Sequence, residues 1–311
     1  MHTILGAGGA IGRPLLKELN HKGIPVRVVS RSASPAGGAR DARAVDLSDR
    51  QAVIDAVAGS EVVYLLVGLK YRLGAWQQFW PKIMNNVIEA CGRANAKLIF
   101  FDNVYMYGKV DGPMTEETPF NPCSRKGEVR ARIAGKLLDE IRAGRLTAMI
   151  ARAADFYGPD ARTGVGNVLV FDRYARGQSA SLMASDLVEH SYTFTPDAVK
   201  ALVLLAESDS AWNQTWHLPT APEPPTGKEF VAMAARAFGV PPRYTVLKPW
   251  MLRMVGLFDA TVRELPEMLY QSAFPYIFDS TKFTRTFRVD ATPYQKGADQ
   301  TAASYRTGAS T

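Results

Sequence analysis

Three glycines, Gly6, Gly9 and Gly12, have the spacing G-x-x-G-x-x-G between an apolar strand predicted at residues 2–5 and a predicted helix. In such a setting the first glycine permits a tight turn, the second lets a diphosphate approach the backbone, and the third lets the helix pack closely on the strand. Exposed N–H groups and the helix dipole then attract phosphate oxygens. The spacing therefore predicts a dinucleotide-binding loop. Its predicted contact residues are Gly6, Gly8, Gly9, Ala10, Ile11 and Gly12.

The second predicted strand, residues 26–30, ends in Ser30, Arg31 and Ser32. In a dinucleotide fold this strand end meets the adenosine ribose, where an acidic residue binds the 2′-hydroxyl of NAD and an arginine suits the 2′-phosphate of NADP. Residues 24–39 contain neither Asp nor Glu. We therefore predict NADP as the coenzyme, with NAD less favoured.

Further coenzyme contacts are predicted at the ends of later strands. Asp46 is placed either to accept a hydrogen bond from the adenine amino group or only to cap the next helix. The fourth predicted strand, residues 62–67, is apolar throughout, as expected of a buried parallel strand. The other coenzyme residues predicted from strand ends are Leu47, Val67, Gly68, Ala153 and Ala154.

Residues 125–142, after the fifth predicted strand at 97–102, have the periodicity of an amphipathic helix. Lys126 and Arg130 fall on the same stripe as Ile133 and other core residues, not on the charged side. Burial of a cation without a partner costs several kcal/mol. We therefore expect an anion or a polar ligand beside Lys126 and Arg130.

The alternation of predicted strands and helices is typical of a doubly wound α/β protein with a parallel sheet. We place a dinucleotide-binding domain at residues 1–156, with a contribution from 191–212, and a mainly substrate-binding domain at 157–311.

Composition and spacing exclude several classes of partner. The net charge of +7 is spread along the chain without a basic block, so no nucleic-acid partner is predicted. No apolar run reaches the roughly 18 residues of a membrane span. We expect no signal peptide, because the first predicted strand begins at residue 2. We therefore predict no membrane partner and a cytoplasmic location. The four histidines and two cysteines lack metal-ligand spacing, so no metal is expected. We expect a small-molecule substrate and a monomer or homodimer.

The chain resembles the extended or atypical short-chain dehydrogenases/reductases of the NAD-dependent epimerase/dehydratase family. The resemblance covers nearly the whole chain and implies a Rossmann fold with a smaller C-terminal substrate domain and NAD(P)-dependent chemistry. The motifs that carry it are, in chain order, GAGGAIG, VVSRS, DLSD, NVYMYG, RAADFYGP, SYTFTPDAVKAL and FDSTKFTRTF.

The catalytic residues that the resemblance implies are altered in this chain. The family uses a Ser or Thr after the fifth strand and Tyr-x-x-x-Lys on the next helix. Here Asn103 has the Ser/Thr position, Lys126 the Tyr position and Arg130 the Lys position. Arg130 can keep the ribose-binding role of the lysine but cannot pass a proton. Lys126 is the predicted proton donor, and Tyr105 and Tyr107 are alternatives.

The substrate side also departs from the family. Nucleotide-sugar members carry a phosphate-binding arginine where this chain has His190, which is either a substrate ligand or a structural histidine. Asp155 either lines the nicotinamide side or only positions the backbone. The predicted substrate residues are Tyr105, Tyr107, Asp155 and His190. An apolar pocket is expected from Trp250, Leu257, Phe258, Phe274 and Phe278.

Three functions remain open from the sequence. The first is an NADP(H)-dependent oxidoreductase acting on a small, partly apolar carbonyl compound. The second is a sugar or nucleotide-sugar epimerase or dehydratase. The third is a non-catalytic NADP-binding sensor or scaffold, which the loss of the family's Ser and Tyr makes credible. The aromatic residues of the second domain favour an enzyme.

Overall fold

The computed structural model describes residues 1–32, 38–259 and 262–308 and divides into two compact units. Unit 1 comprises Met1–Met106, Arg125–Arg152 and Val199–Trp216. Unit 2 comprises Tyr107–Ser124, Ala153–Ala198 and His217–Thr311. The loop at 107–124, which the sequence places in the first domain, is therefore part of unit 2.

The described strands and helices follow the chain order used for their labels. The strands are β1 (His2–Leu5), β2 (Val26–Ser30), β3 (Asp41–Ala44), β4 (Val62–Leu65), β5 (Lys97–Asp102), β6 (Ala148–Arg152), β7 (Asp155–Tyr157), β8 (Ala180–Met183), β9 (Tyr192–Phe194), β10 (Thr215–His217) and β11 (Tyr244–Leu247). The helices are α1 (Gly12–His21), α2 (Arg50–Val57), α3 (Leu73–Ala94), α4 (Arg125–Arg142), α5 (Asp172–Ala175), α6 (Thr195–Glu207), α7 (Gly227–Phe238), α8 (Pro249–Val255), α9 (Tyr270–Ala273), α10 (Thr281–Phe287) and α11 (Tyr294–Gly308).

A seven-stranded sheet has the order β10-β6-β5-β4-β1-β2-β3, and the pairs among β1 to β6 are parallel. The strand order reverses between β1 and β4, which is the point where open α/β sheets bind ligands at their carboxyl edge. Leu5 pairs with Val29 on one side and Leu65 on the other, so the ends of these three strands lie together. The predicted doubly wound fold is confirmed.

The core of unit 1 forms around central strands that are buried on both faces. Every residue of β1 and β4 is buried, as expected of parallel strands covered by helices on both sides. Helix α1 contributes Leu15, Leu16 and Leu19 to this core. Helix α3 continues through Pro81, which lies inside it.

Unit 2 is built around aromatic side chains and two small parallel sheets, β7 with β9 and β8 with β11. Tyr157 is fully buried and its ring is stacked near that of Phe171, while Tyr192 stacks on Phe230 with 4.1 Å between ring centroids. Aromatic pairs of this kind add to the free energy gained from burial. None of the described helices has the length and hydropathy needed to cross a membrane.

Candidate active site

The glycine loop of unit 1 has the geometry of a phosphate cradle. Gly6 has φ +97°, and a Cβ there would lie 2.7 Å from the Cα of Val67. A Cβ on Gly12 would lie 2.7 Å from the Cα of Ala7. A Cβ on Gly9 would instead meet only the Gly6 carbonyl oxygen at 3.6 Å, and one on Gly8 would meet nothing within 4 Å. Close packing of the backbone thus excludes a side chain at Gly6 and Gly12. Gly8 and Gly9, by contrast, leave an exposed space that fits a coenzyme diphosphate. Ala10 is partly exposed, and Ile11 is buried beneath the loop.

The predicted ribose-binding residues lie at the carboxyl end of β2. Arg31 and Ser32 are exposed there, and the hydroxyl of Ser30 donates a hydrogen bond to the carbonyl of Ser32. Val67 and Gly68 follow β4, and its neighbour β1 runs directly into the glycine loop. The sheet register therefore brings together three of the predicted coenzyme segments.

Asp46 is exposed and does not cap α2. Its carboxylate accepts hydrogen bonds from the N–H and hydroxyl of Ser48, which lower the pKa of Asp46, and Arg31 adds a smaller electrostatic contribution. The cap of α2 is Asp49, which accepts from the N–H of Ala52. Asp46 is therefore an available acceptor. Leu47 beside it is buried.

A buried carboxylate that sequence reasoning missed, Asp102, lies at the end of β5. Its Oδ1 accepts hydrogen bonds from Nε (2.8 Å) and Nη2 of Arg130 and from the N–H of Asn103. The Nε of Arg152 lies 3.7 Å from its Oδ2. All three charged side chains are at most 5% exposed. Asp102 thus joins the ends of β5 and β6 to α4.

Lys126 and Arg130 are both buried, as the helical pattern predicts. The anion expected beside Arg130 is Asp102 of the chain itself. The guanidinium of Arg130 also lies 4.5 Å from the ring centroid of Trp80, and the Nζ of Lys126 lies 4.7 Å from that of Tyr71. Such cation–π contacts are strongest when desolvated. Burial of Arg130 therefore needs no external ligand, and its coenzyme-binding role stays a prediction.

Asn103 and Tyr105 form the turn after β5. The Oδ1 of Asn103 accepts a hydrogen bond from the N–H of Tyr105 at 3.1 Å. The Tyr105 ring stacks on that of Trp76 with an angle of 11° between the ring planes. None of the described residues accepts a hydrogen bond from the Nδ2 of Asn103. Asn103 therefore holds the turn with its oxygen and retains an amide donor.

Tyr107 is buried in unit 2, and its hydroxyl donates a hydrogen bond to another residue of that unit. The Nδ1 of His217 lies 2.8 Å from the carbonyl of Asp279, which can only accept, so Nδ1 carries the proton. The Nε2 of His217 then accepts from the Tyr107 hydroxyl at 2.8 Å. Glu116, another residue that sequence reasoning missed, accepts from the N–H of His217, and burial raises the pKa of Glu116.

His190 and Asp155, both predicted on the substrate side, are hydrogen-bonded to each other in unit 2. The Nδ1 of His190 lies 3.1 Å from the carbonyl of Gln271, so it must donate. The Nε2 lies 2.9 Å from Oδ2 of Asp155. A proton therefore sits between them, either on the imidazole or on the carboxyl group. In both arrangements the pair has no net charge and His190 has no N–H left for a ligand.

Unit 2 contains a narrow cleft beside His190. Of the described residues that line it, His190 is the only basic one. The others are apolar, small or hydroxyl-bearing: Val165, Gly166, Leu169, Val170, Ser181, Leu182, Met183, Ser185, Val188, Tyr192, Gly227 and Ser272. The lining of this cleft is predominantly neutral.

The expectation of an apolar pocket built from late aromatic residues is wrong for most of them. Trp250, Leu257 and Phe258 are exposed on the surface of unit 2. Phe278 is buried and stacks on His217, while Phe274 is partly exposed and lies against the Nζ of Lys109. The two predicted coenzyme residues of unit 2, Ala153 and Ala154, are buried, and the N–H of Ala154 donates to the hydroxyl of Thr193.

Residues 2–217 match the model of the NAD dependent epimerase/dehydratase family. The chain belongs to this family, and it falls in the predicted class of NAD(P)-dependent oxidoreductases or epimerases/dehydratases.

Individual proteins with a similar sequence or fold add detail. A 3-diazoavenalumate denitrifying reductase from a Streptomyces species is 25% identical over 278 residues, covering 82% of this chain and 87% of the relative. MoeE5 in complex with UDP-glucuronic acid and NAD has a TM-score of 0.81 at 21% identity and covers 99% of both chains. The Thermus thermophilus UDP-glucose 4-epimerase complex with NAD has a TM-score of 0.77 at 18% identity, covering 98% and 99%. At these identities the two structures show a shared fold.

The glycine loop predicts a contrast between two substitutions. Gly9→Val places its side chain in open space, so we expect an unchanged melting temperature but loss of NADPH and NADH binding in calorimetry. Gly12→Val drives a Cβ into the backbone of Ala7, so it should lower the melting temperature. A folded Gly9→Val protein that binds coenzyme normally would show that the loop is only a structural turn.

Asp102→Asn keeps the side-chain volume but removes the charge that balances Arg130. Breaking one partner of a buried ion pair typically costs about 3–5 kcal/mol, so we expect a loss of unfolding free energy of that order in urea titrations. Glu89→Gln, which removes a half-exposed partner of Arg50 and Arg93 at the surface, is the control and should change little. Equal stability of the two variants would contradict the importance assigned to Asp102.

Proposed function

We propose that this protein is an oxidoreductase that transfers a hydride between NADP(H) and a small, partly apolar carbonyl compound. The observation that carries the proposal is the neutral His190–Asp155 pair, at the position where the resemblance to nucleotide-sugar enzymes would require a phosphate-binding arginine. With no N–H of His190 directed to a ligand, the cleft of unit 2 offers a diphosphate no basic group among its described residues. It suits an uncharged substrate with one or two polar atoms.

The residues of unit 1 supply coenzyme binding and proton transfer in this proposal. The N–H groups around Gly8 and Gly9 hold the diphosphate at the start of α1. The nicotinamide, when bound, supplies the hydride. The Nδ2 of Asn103 hydrogen-bonds the substrate oxygen and stabilises the charge that develops there. Lys126 gives that oxygen a proton, which completes reduction of the carbonyl to an alcohol. Tyr105 is the alternative donor.

Epimerisation or dehydration of a nucleotide sugar is the second candidate, and the similar solved structures favour it. MoeE5 holds UDP-glucuronic acid, and the Thermus thermophilus protein is a UDP-glucose 4-epimerase. Against it stand the replacement of the family's Tyr-x-x-x-Lys by Lys126 and Arg130 and the neutral cleft. The relative from Streptomyces is named a denitrifying reductase of a diazo compound, which favours an oxidoreductase but does not indicate a carbonyl substrate.

A substrate panel distinguishes the two candidates. We expect NADPH oxidation with aldehydes or ketones that carry apolar groups, followed by absorbance. UDP-glucose and UDP-glucuronic acid, incubated with NAD⁺, should remain unchanged in chromatography. Interconversion of the UDP-sugars without net consumption of coenzyme would establish the second candidate and refute the first.

The choice of NADP(H) rests on Arg31, although the similar structures hold NAD and thereby favour NAD. A charge-assisted hydrogen bond to the 2′-phosphate is worth about 1.5–3 kcal/mol, or roughly 10- to 150-fold in affinity. We expect NADPH to bind more tightly than NADH, and Arg31→Asp to reverse the order. Equal affinities of the wild-type protein for both coenzymes in calorimetry would refute this preference.

Lys126→Met tests the proposed proton donor. Loss of a positioned acid should lower turnover about 10²–10⁴-fold while NADPH affinity changes little. Lys136→Met, at an exposed position of the same helix, is the matched control and should leave turnover intact. If Lys126→Met is fully active and Tyr105→Phe is not, the tyrosine is the donor.

A further inference from the structure

Two buried hydroxyl groups line the cleft of unit 2 beside His190. They belong to Ser181 on β8 and Tyr192 on β9, and each residue is 7% exposed. None of the described residues hydrogen-bonds either hydroxyl group, and neither oxygen is completely enclosed by protein atoms. Because buried polar groups in folded proteins almost always have a partner, these two hydroxyl groups leave hydrogen bonds for a ligand in the cleft.

The phenol of Tyr192 is held in place by its neighbours. Its ring stacks on that of Phe230 with 4.1 Å between the centroids, and the His190 ring lies 4.6 Å away on the same measure. The N–H of Tyr192 donates to the hydroxyl of Tyr294 at 3.2 Å. Burial, with a smaller contribution from the Asp155 carboxyl group, raises the pKa of Tyr192. The phenol therefore keeps its proton at neutral pH and can donate it in a hydrogen bond from a fixed position.

The hydroxyl of Ser181 lies on a paired strand. Ser181 is opposite Thr245 in the parallel ladder of β8 and β11, and its neighbours Ala180 and Leu182 are buried. The backbone is thus fixed, whereas a serine hydroxyl can rotate and either donate or accept a hydrogen bond. The cleft therefore contains two buried donors, one fixed on a ring and one able to adjust.

The charges around the cleft select against an ionic group. Of the described residues that line it, none is acidic and only His190 is basic, and the pair of His190 with Asp155 has no net charge. An anion or a cation would lose its water there without meeting an opposite charge, which is unfavourable. A purely apolar group would leave both hydroxyl groups without a partner. An uncharged oxygen atom, which can accept a hydrogen bond from each hydroxyl group, avoids both costs.

We propose that Ser181 and Tyr192 form a subsite for an uncharged, oxygen-bearing group of the substrate. Both hydroxyl groups donate to that oxygen, and the serine can also accept from a substrate hydroxyl. The inference rests on the proposed oxidoreductase function and narrows its substrate class. The substrate is a carbonyl compound that carries a second, neutral oxygen, and Ser181 and Tyr192 determine the specificity for it.

Probes that differ in a single oxygen test the subsite. The pairs are para-hydroxybenzaldehyde with para-methylbenzaldehyde, and hydroxyacetone with butanone, because a methyl group has a similar size to a hydroxyl but forms no hydrogen bond. In NMR titrations of the full-length protein without coenzyme, we expect the hydroxyl compound of at least one pair to bind about 10-fold more tightly than its methyl analogue. Ser181→Ala and Tyr192→Phe, which each remove one oxygen, should each remove most of this preference and leave binding of the methyl compound nearly unchanged.

Ser179→Ala, just before β8 and outside the lining of the cleft, is the matched control and should keep the preference of the wild type. Equal binding of both members of each pair, no binding of any probe, or a preference that survives both substitutions would overturn the subsite, even if NADPH reduces these carbonyl compounds. Hydroxyl-selective binding that both substitutions abolish, without reduction of any carbonyl compound, would support the subsite and refute the proposed oxidoreductase function.

Discussion

The buried carboxylate of Asp102 is the interaction on which the carboxyl ends of β5 and β6 and the inner face of α4 depend. Two guanidinium groups, from Arg130 and Arg152, lie beside it away from water. A buried cation is tolerated only when an anion lies close and hydrogen bonds satisfy its donors. Asp102 meets this requirement for Arg130 and also accepts from the N–H of Asn103, so the same carboxylate fixes the start of the turn that carries the proposed substrate donor.

This arrangement limits what Arg130 can do. A guanidinium has five N–H donors in a rigid fork, and Asp102 takes those of Nε and one of Nη2. Trp80 and Phe100 lie near its guanidinium carbon at 4.5 and 5.1 Å from the ring centroids. A contact with the coenzyme would therefore have to use the two hydrogens of Nη1 or the second hydrogen of Nη2. A lysine at this position would present one mobile ammonium group. The arginine of this chain instead holds its positive charge in a fixed orientation.

Local sequence patterns predicted those strands and helices whose burial shows in the order of neighbouring residues. The strands at 26–30 and 97–102 and the helix at 125–142 have the predicted bounds because hydrophobic periodicity directly reflects burial. The ion pair of Asp102 with Arg130 and the pair of Asp155 with His190 join residues 28 and 35 positions apart. No periodicity or spacing indicates such pairs. The prediction of an apolar pocket from the late aromatic residues was wrong because hydrophobicity predicts burial, whereas Trp250 and Phe258 are exposed.

Both units pair a basic side chain with a carboxyl group of the chain. Arg130 is matched by Asp102 in unit 1, and His190 by Asp155 in unit 2. A cation that is already paired gains little from a second anion, because binding that anion must first compete with a preformed hydrogen bond. Arg31 is exposed at the end of β2, and the nearby carboxylate of Asp46 makes only a minor electrostatic interaction with it. In the proposed function, anion recognition therefore falls to the coenzyme side, and the substrate is selected by neutral hydrogen-bonding groups.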